Sequence, residues 1–264
     1  MQAIHIGTAG WSIARAVADA FPAEGSGLER YATRFDVAEI NSSFYRPHRP
    51  STWSRWRDMT PDHFRFSVKL PKLITHIHKL VDCRDALNAF LEQTHILEEK
   101  LGVLLIQLPP KLAFDDEVAG RFFDDLMSRT SALIACEPRH PGWFTPTADA
   151  LLARTRIARV AADPAICPAA AQPAGWPGLC YWRLHGSPHM YRSSYEDRLG
   201  GYANLLLDAR KAGRECWCIF DNTASSAATS DALALKGLLD AKARRLQTGD
   251  TILDAMPRES QTEA

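Results

Sequence analysis

The stretch VAEINSSFYRP, residues 37–47, places Glu39 and Asn41 two residues apart in an apolar run. On a strand these positions share one face. A dry core does not accept an unpartnered carboxylate, so this face must open onto a pocket. The pattern recurs along the chain. FSVKLPK carries Lys69, LLIQLPP carries Gln107, and ACEPRHPGW carries Glu137 and Arg139 in one parity. VAADP carries Asp163, YWRLHGS carries Arg183 and His185 in one parity, and CIFDNTAS carries Asp221 and Asn222. Apolar strand interiors with polar ends form a near-complete ring of candidate functional groups.

The residue types suggest acid–base chemistry. Glu39 and Glu137 lie three strands apart and could face each other across a mouth, one as acid and one as base. The plainer alternative is an ion network with Lys69 or Arg139. Lys69 could hold an anion, act as a base, or serve as a Schiff-base amine if desolvated; otherwise it pairs with Glu39 on the adjacent strand. Arg139 and Arg183 suit bidentate recognition of carboxylate or phosphate, or they are structural bridges. His185 continues an inward face beside Gly186, where glycine permits close approach. His76 lies in the loop after the third strand, and His140 has the opposite parity to Arg139. Trp11, Phe44, Tyr45 and Trp143 fall on the loops after strands one, two and five, where they either stack on a ring-shaped ligand or wall the pocket. The expected catalytic set is thus Glu39, Glu137, Lys69 and His185. The expected ligand-binding set is Trp11, Asn41, Tyr45, His76, Gln107, Arg139, Asp163, Arg183 and Asn222.

Other chemistries are less well served. Glu39, Glu137, Asp163 and His185 would make an oxygen-rich metal set with one imidazole, but Lys69, Arg139 and Arg183 crowd the same mouth with positive charge. No HxH or HExxH spacing supports a metal. No cofactor is expected, and a bound metal is the lesser alternative. Walker-type and GxSxG motifs are absent, and GTAGWS lacks the GxGxxG spacing of a dinucleotide site.

These groups need a scaffold that brings strand ends together. Strand-like runs fall at 4–7, 37–40, 64–69, 103–107, 133–137, 159–162, 180–184 and 216–220, spaced by roughly 30 residues, the length of a βαβ unit. Helix-like segments fill most gaps. The clearest runs from Arg84 to Leu101, with Leu87, Phe90, Leu91, Thr94 and Leu97 on one face and Gly102 as a stop. Others are 28–35, 52–59, 116–129, 146–154, 198–211 and 225–239, while the Ala/Pro-rich stretch 164–177 reads as a loop. Strand–helix alternation in this length predicts an α/β fold, a single TIM-type (β/α)8 barrel, with a doubly wound sheet as the alternative. In such a barrel the C-terminal strand ends form the active-site face, which answers why Glu39 and Asn41 interrupt an apolar strand. The barrel domain is expected over residues 1–243, with a polar tail over 244–264.

The chain has 264 residues, 46% hydrophobic and 23% charged, with formal net charge zero. That balance gives no push toward membrane or nucleic acid and leaves nucleic acid a disfavoured partner. No signal peptide or long apolar run is visible. Cys83, Cys136, Cys167, Cys180, Cys216 and Cys218 show no CxxC spacing and read as small buried hydrophobes in a reducing compartment. A cytoplasmic location is expected.

The strings IGTAGWS, VAEINSSFYR, FRFSVKLPKLITH, LGVLLIQLPP, CEPRHPGW, YWRLHG and FDN together resemble the YecE-like family (domain of unknown function family 72), a bacterial and archaeal family. The resemblance runs from Ile4 to about Leu239. It implies a TIM-type barrel and hands over no reaction. One departure is Ile13, where many relatives carry an aromatic residue after GWS. The expected function is an enzyme acting by acid–base chemistry on a small polar molecule, anionic or phosphorylated. The alternatives are a non-catalytic ligand-binding or sensing module and a metal-dependent phosphoester hydrolase or nuclease. A phosphate subsite is expected after strands seven and eight, between Gly186, Asn222 and a helix capped by Ser225 or Ser226.

Overall fold

The computed structural model describes residues 2–248. Its strands are Ile4–Ala9 (β1), Val37–Ile40 (β2), Arg65–Lys69 (β3), Leu101–Gln107 (β4), Leu133–Glu137 (β5), Ile157–Arg159 (β6), Ala161–Asp163 (β7), Ala174–Gly175 (β8), Leu179–Leu184 (β9) and Glu215–Phe220 (β10). The helices are Gly27–Ala32 (α1), Pro50–Asp58 (α2), Arg84–Thr94 (α3), Asp116–Met127 (α4), Pro146–Arg154 (α5), Leu199–Lys211 (α6) and Ala227–Thr248 (α7).

All ten strands join one sheet in the order β7-β9-β10-β1-β2-β3-β4-β5-β6-β8. β6 and β7 stand near opposite ends of that order, yet only Val160 separates them along the chain. They are two halves of one stave, and the sheet therefore closes on itself. β8 is a short antiparallel edge on β6; setting it aside leaves an eight-stave parallel TIM-type barrel.

Strand alternation separates two apolar layers. Phe66, Leu104, Ile134, Trp182 and Phe220 face outward and pack beneath helix residues such as Leu87, Phe90, Phe122, Phe123 and Leu206. Each such burial is worth roughly 2 kcal/mol, so this outer layer dominates the stability of the barrel. The interior is smaller: Val37, Val103, Leu105, Ala135, Ala158, Tyr181, Trp217 and Ile219 fill it. The rings of Tyr181 and Trp217 stack at 6.1 Å. Gly102 makes room for this plug, since a Cβ there would come within 2.8 Å of the Trp217 ring. Local signals start the helices: Ser26 and Glu29 form a capping box on α1, and Asp115 and Thr145 accept backbone N–H groups at the starts of α4 and α5.

Two connections differ from the expected pattern. The helix expected over 84–101 ends at Thr94; a 3-10 segment follows, and Glu98 has φ 53°. Lys100 Nζ donates to the Arg57 carbonyl at 2.6 Å, tying this end to the α2 terminus and breaking the helical path. The sixth stave is followed by no α-helix, only a 3-10 turn at Pro168–Ala171 and β8. Prolines at 164, 168, 173 and 177 withhold helix donors there. Arg159 fastens this connection, donating to the Ala169 carbonyl at 2.8 Å and to Asp149 at 2.7 Å.

The polar tail expected from 244 lies mostly outside the described residues, and α7 continues to Thr248. Among the described residues no helix is long and apolar enough to cross a membrane. All six cysteines are free.

Candidate active site at the barrel mouth

The inward residues at the C-terminal strand ends form one connected ionic network above the apolar plug. Its floor is Tyr181, whose hydroxyl is hydrogen-bonded to Glu39 Oε2 at 2.9 Å and to Ser67 Oγ at 2.8 Å. Burial, with the Glu39 charge beside it, pushes this phenol well above its ordinary range.

Arg183 is the hub. Its Nε and Nη2 donate to Glu39 Oε2 and Oε1 at 3.0 and 2.6 Å, its Nη1 to Glu137 Oε2 at 2.6 Å, and its Nη2 also to Asp221 Oδ2 at 3.1 Å. Four bonds from the five donors of a guanidinium leave it little capacity for a ligand. Glu137 also pairs with Arg139 Nη2 and lies 3.2 Å from His185 Nε2. Burial alone would raise the Glu137 carboxyl, but Arg139, Arg183 and His185 outweigh it and hold the group well below the usual carboxylate range. Asp221 behaves alike, with Arg183 and His185 outweighing burial.

His185 is fully buried. Its Nδ1 lies 3.0 Å from Asp221 Oδ2 and its Nε2 2.8 Å from Arg139 Nη2. With Nδ1–H donating to Asp221, the other ring nitrogen lies between Arg139 Nη2 and Glu137 Oε1, so Nε2 faces a donor and an acceptor at once. The loop after β9 folds over the imidazole: Tyr191 packs edge-on to it at 5.9 Å and donates its N–H to the His185 carbonyl.

Lys69 is the exception in this network. Its Nζ lies 4.3 Å from the centre of the Phe44 ring, and no carboxylate comes within ion-pair distance among the described residues. The residue is 8% exposed. Burial, reinforced by Arg183, pushes its amine down to about 8, while Glu39, Glu137 and Asp221 pull the other way. His76 stands edge-on to the same Phe44 ring at 5.0 Å, and burial together with Lys69 and Lys72 lowers its imidazole.

The structure thus gathers Glu39, Lys69, Glu137, Arg139, Arg183 and His185, with Asn41 and Gln107 at the rim. Asn41 Nδ2 reaches toward Asp221 Oδ1 at 3.5 Å, while Asn41 Oδ1 and Arg139 Nε are buried without a hydrogen-bond partner among the described residues. Gln107 is in register with Glu137.

Four expected ligand-binding residues lie elsewhere. Asp163 falls on the outward face, bonded to Tyr202 and to Arg198 Nη1 at 2.8 Å. Asn222 also turns outward, donating to Asp231 Oδ2 at 2.7 Å and the Ser193 carbonyl at 3.0 Å; the inward residue of that pair is Asp221. Trp11 packs edge-on against Trp56 and Phe66 in the outer layer. Tyr45 is 78% exposed, with its ring edge-on to Phe44. Glu39 and Glu137, expected as the acid–base pair, are held by Arg183 and sealed from solvent.

At the expected phosphate subsite two of the groups already have protein partners. Gly186 N–H donates to the Tyr195 hydroxyl at 2.8 Å, and the Ser225 hydroxyl donates to the Arg192 carbonyl. A metal fares no better: among the described residues no group of three or more His, Cys, Asp or Glu side chains is disposed to hold an ion.

Residues 5–258 match the family described as "Protein of unknown function DUF72". The UPF0759 protein YecE of Escherichia coli K12 is 34% identical over 118 residues, 44% of this chain and 43% of that protein. The UPF0759 protein YunF of Bacillus subtilis 168 is 26% identical over 152 residues, 54% of this chain and 53% of that one. The aligned stretch therefore spans only about half the length of these curated relatives. Among solved structures, a DUF72 family protein from Enterococcus faecalis V583 superposes with a TM-score of 0.74 at 20% identity, covering 90% of this chain and 96% of that one. One from Thermotoga maritima MSB8 gives 0.73 at 22%, covering 90% and 99%. These likenesses carry the fold.

Proposed function

The chain belongs to the DUF72 family, and from that premise we propose that it is an enzyme whose barrel mouth performs acid–base chemistry on a small polar molecule, with Lys69 as the reacting amine. The observation that carries this reading is the isolation of Lys69. Three carboxylates share its neighbourhood, yet Arg183 and Arg139 engage them and Lys69 Nζ rests on an aromatic face. An amine lowered to about 8 has a usable free-base fraction near neutral pH and a conjugate acid strong enough to return a proton. Buried, shifted groups of this kind concentrate at functional sites.

In this reading the carboxylate–guanidinium network is the floor, Asn41 reaches it through Asp221, and Lys69 stands apart from it against Phe44. The unmatched Arg139 Nε and Asn41 Oδ1 supply one donor and one acceptor for a polar ligand. An anionic or carbonyl group facing Lys69 fits this donor set. A metal-dependent phosphoesterase has less support, because the carboxylates already face guanidinium groups.

Thermal-shift screening of a library of small acids, aldehydes, ketones and sugars, followed by turnover assays on the hits, tests the proposal. Expected is at least one compound that stabilises the wild type, is consumed by it, and is not consumed by Lys69→Met. Stabilisation without consumption would instead support a binding or sensing module, favoured by the full pairing of the three carboxylates. Hits that act equally on the wild type and Lys69→Met would remove Lys69 from the site.

A further inference from the structure

We propose that Lys69 Nζ forms an imine with the aldehyde or ketone carbonyl of its substrate, so that the chemistry of this mouth is covalent. This deepens the acid–base reading and rests on it. The geometry carries the inference. Lys69 emerges at the C-terminal end of β3, is almost wholly buried, and has neither a carboxylate nor a hydrogen-bond acceptor on Nζ among the described residues. A lysine serving as a structural counter-ion would sit in the carboxylate cluster, but Arg183 occupies that position with four hydrogen bonds. Lys100 illustrates the structural alternative: its Nζ donates to the Arg57 carbonyl at 2.6 Å and also to Thr60.

The surrounding charges suit both halves of the reaction. Burial and Arg183 disfavour the ammonium, so the lone pair is accessible near neutral pH. The Nζ lone pair attacks the carbonyl carbon, and the C=O electron pair moves to oxygen, which takes up a proton. The nitrogen loses a proton, the carbinolamine hydroxyl leaves as water after protonation, and the C=N bond forms. The balance is amine plus carbonyl giving imine plus water, with no oxidant or reductant. Once protonated, the iminium lies within the field of Glu39, Glu137 and Asp221, the carboxylates that already act electrostatically on Lys69. Arg183 helps keep Glu137 and Asp221 ionised, and the Phe44 face accepts the cation. The substrate class is therefore a small carbonyl compound, with Arg139 Nε and Asn41 Oδ1 available to its further polar groups.

Glyoxylate is the probe. The whole chain is incubated with glyoxylate at about pH 7, with and without sodium cyanoborohydride, which supplies hydride to the C=N carbon and leaves a stable carboxymethyl amine. Peptide mapping then reads the rate at each lysine. An amine lowered to about 8 carries on the order of a hundredfold more free base at that pH than an ordinary lysine. Expected is modification of Lys69 ahead of Lys72 and Lys211 by about that factor, with the advantage shrinking toward pH 10. Labelling of Lys69 no faster than Lys72, or none at all, overturns the covalent step. The library screen separates the two failures. Compounds still consumed in a Lys69-dependent way leave the acid–base reading standing, whereas an absence of both results removes both.

Discussion

Arg183 meets Glu39 side-on through two parallel hydrogen bonds, Nε to Oε2 at 3.0 Å and Nη2 to Oε1 at 2.6 Å, with both side chains fully buried. The pair joins β9 to β2, between which lie β10 and β1 in the sheet. It is a brace across the barrel interior. A guanidinium and a carboxylate match in this bidentate geometry as an ammonium and a carboxylate do not. That explains why arginine holds the hub and lysine stands apart from it.

Removing the hub should be costly. Arg183→Met would leave Glu39, Glu137 and Asp221 buried without their shared cation. A broken buried pair costs roughly 3–5 kcal/mol, and urea unfolding of the variant should show a loss of that order. Adding Glu39→Gln to Arg183→Met should recover part of it. A loss near zero would mean that these carboxylates are solvated.

The acid limb of the stability curve has a definite sign. The folded carboxyls of Glu137 and Asp221 lie below their ordinary values of 4.5 and 3.8. The unfolded chain therefore binds more protons as pH falls through those ordinary values. Stability contributed by the two groups is fully present above them and is lost as pH falls toward the folded values. Urea midpoints measured from about pH 6 to about pH 3 should fall steeply in the wild type. They should fall less steeply in Arg183→Met, which removes the one arginine that depresses both groups, while Arg139 still acts on Glu137 and His185 on both.

The barrel was legible because its signals are local and repeated: short apolar runs, helical periodicity and a polar residue at almost every strand end. The orientation of those end residues was not always legible. In CIFDN two adjacent polar residues, Asp221 and Asn222, compete for the inward position. The phase is set by neighbouring strands: Ile219 is in register with Arg183, and Trp217 with Tyr181. Inward Arg183 therefore implies inward Ile219 and hence inward Asp221. The same counting across the β6–β7 break, from inward Val160, turns Asp163 outward. Tyr181 and Ser67 escaped because each reads as an ordinary strand residue; only the approach of Glu39 from across the barrel gives them a polar role. The engagement of Glu39 by Arg183 is likewise a contact between strands far apart in sequence, invisible to spacing.

Asn222 should behave as a brace. Its bonds to Asp231 and the Ser193 carbonyl tie the β10 end to α7 and to the loop after β9. Asn222→Ala should destabilise the fold by roughly 1–3 kcal/mol, the cost of leaving buried partners unsatisfied. The glyoxylate labelling rate at Lys69 should stay within about twofold of wild type, because the site-facing groups are untouched. A large loss of labelling with the fold intact would place Asn222 in the site after all.

Lys69 itself makes the opposite prediction from Arg183. Its folded amine lies at about 8, against an ordinary 10.5. Below pH 8 the folded state carries a cation that burial and Arg183 disfavour, and the cost is full. Between about 8 and 10.5 the unfolded chain binds more protons than the folded one, so this contribution to stability rises with pH. Lys69→Met removes the cation and keeps an unbranched apolar chain against Phe44. Removing a buried charge that has no ion-pair partner among the described residues lifts a desolvation cost on the order of a few kcal/mol, so at pH 7 the variant should unfold at higher urea than the wild type. Other lysines and tyrosines that titrate at high pH are common to both proteins and cancel in the difference. The gap between variant and wild type should therefore hold up to about pH 8 and narrow as the comparison moves on to about pH 10. A variant less stable than wild type at pH 7, or a gap that widens with pH, would show that Lys69 is a structural counter-ion of the carboxylate cluster and not a free amine held above it.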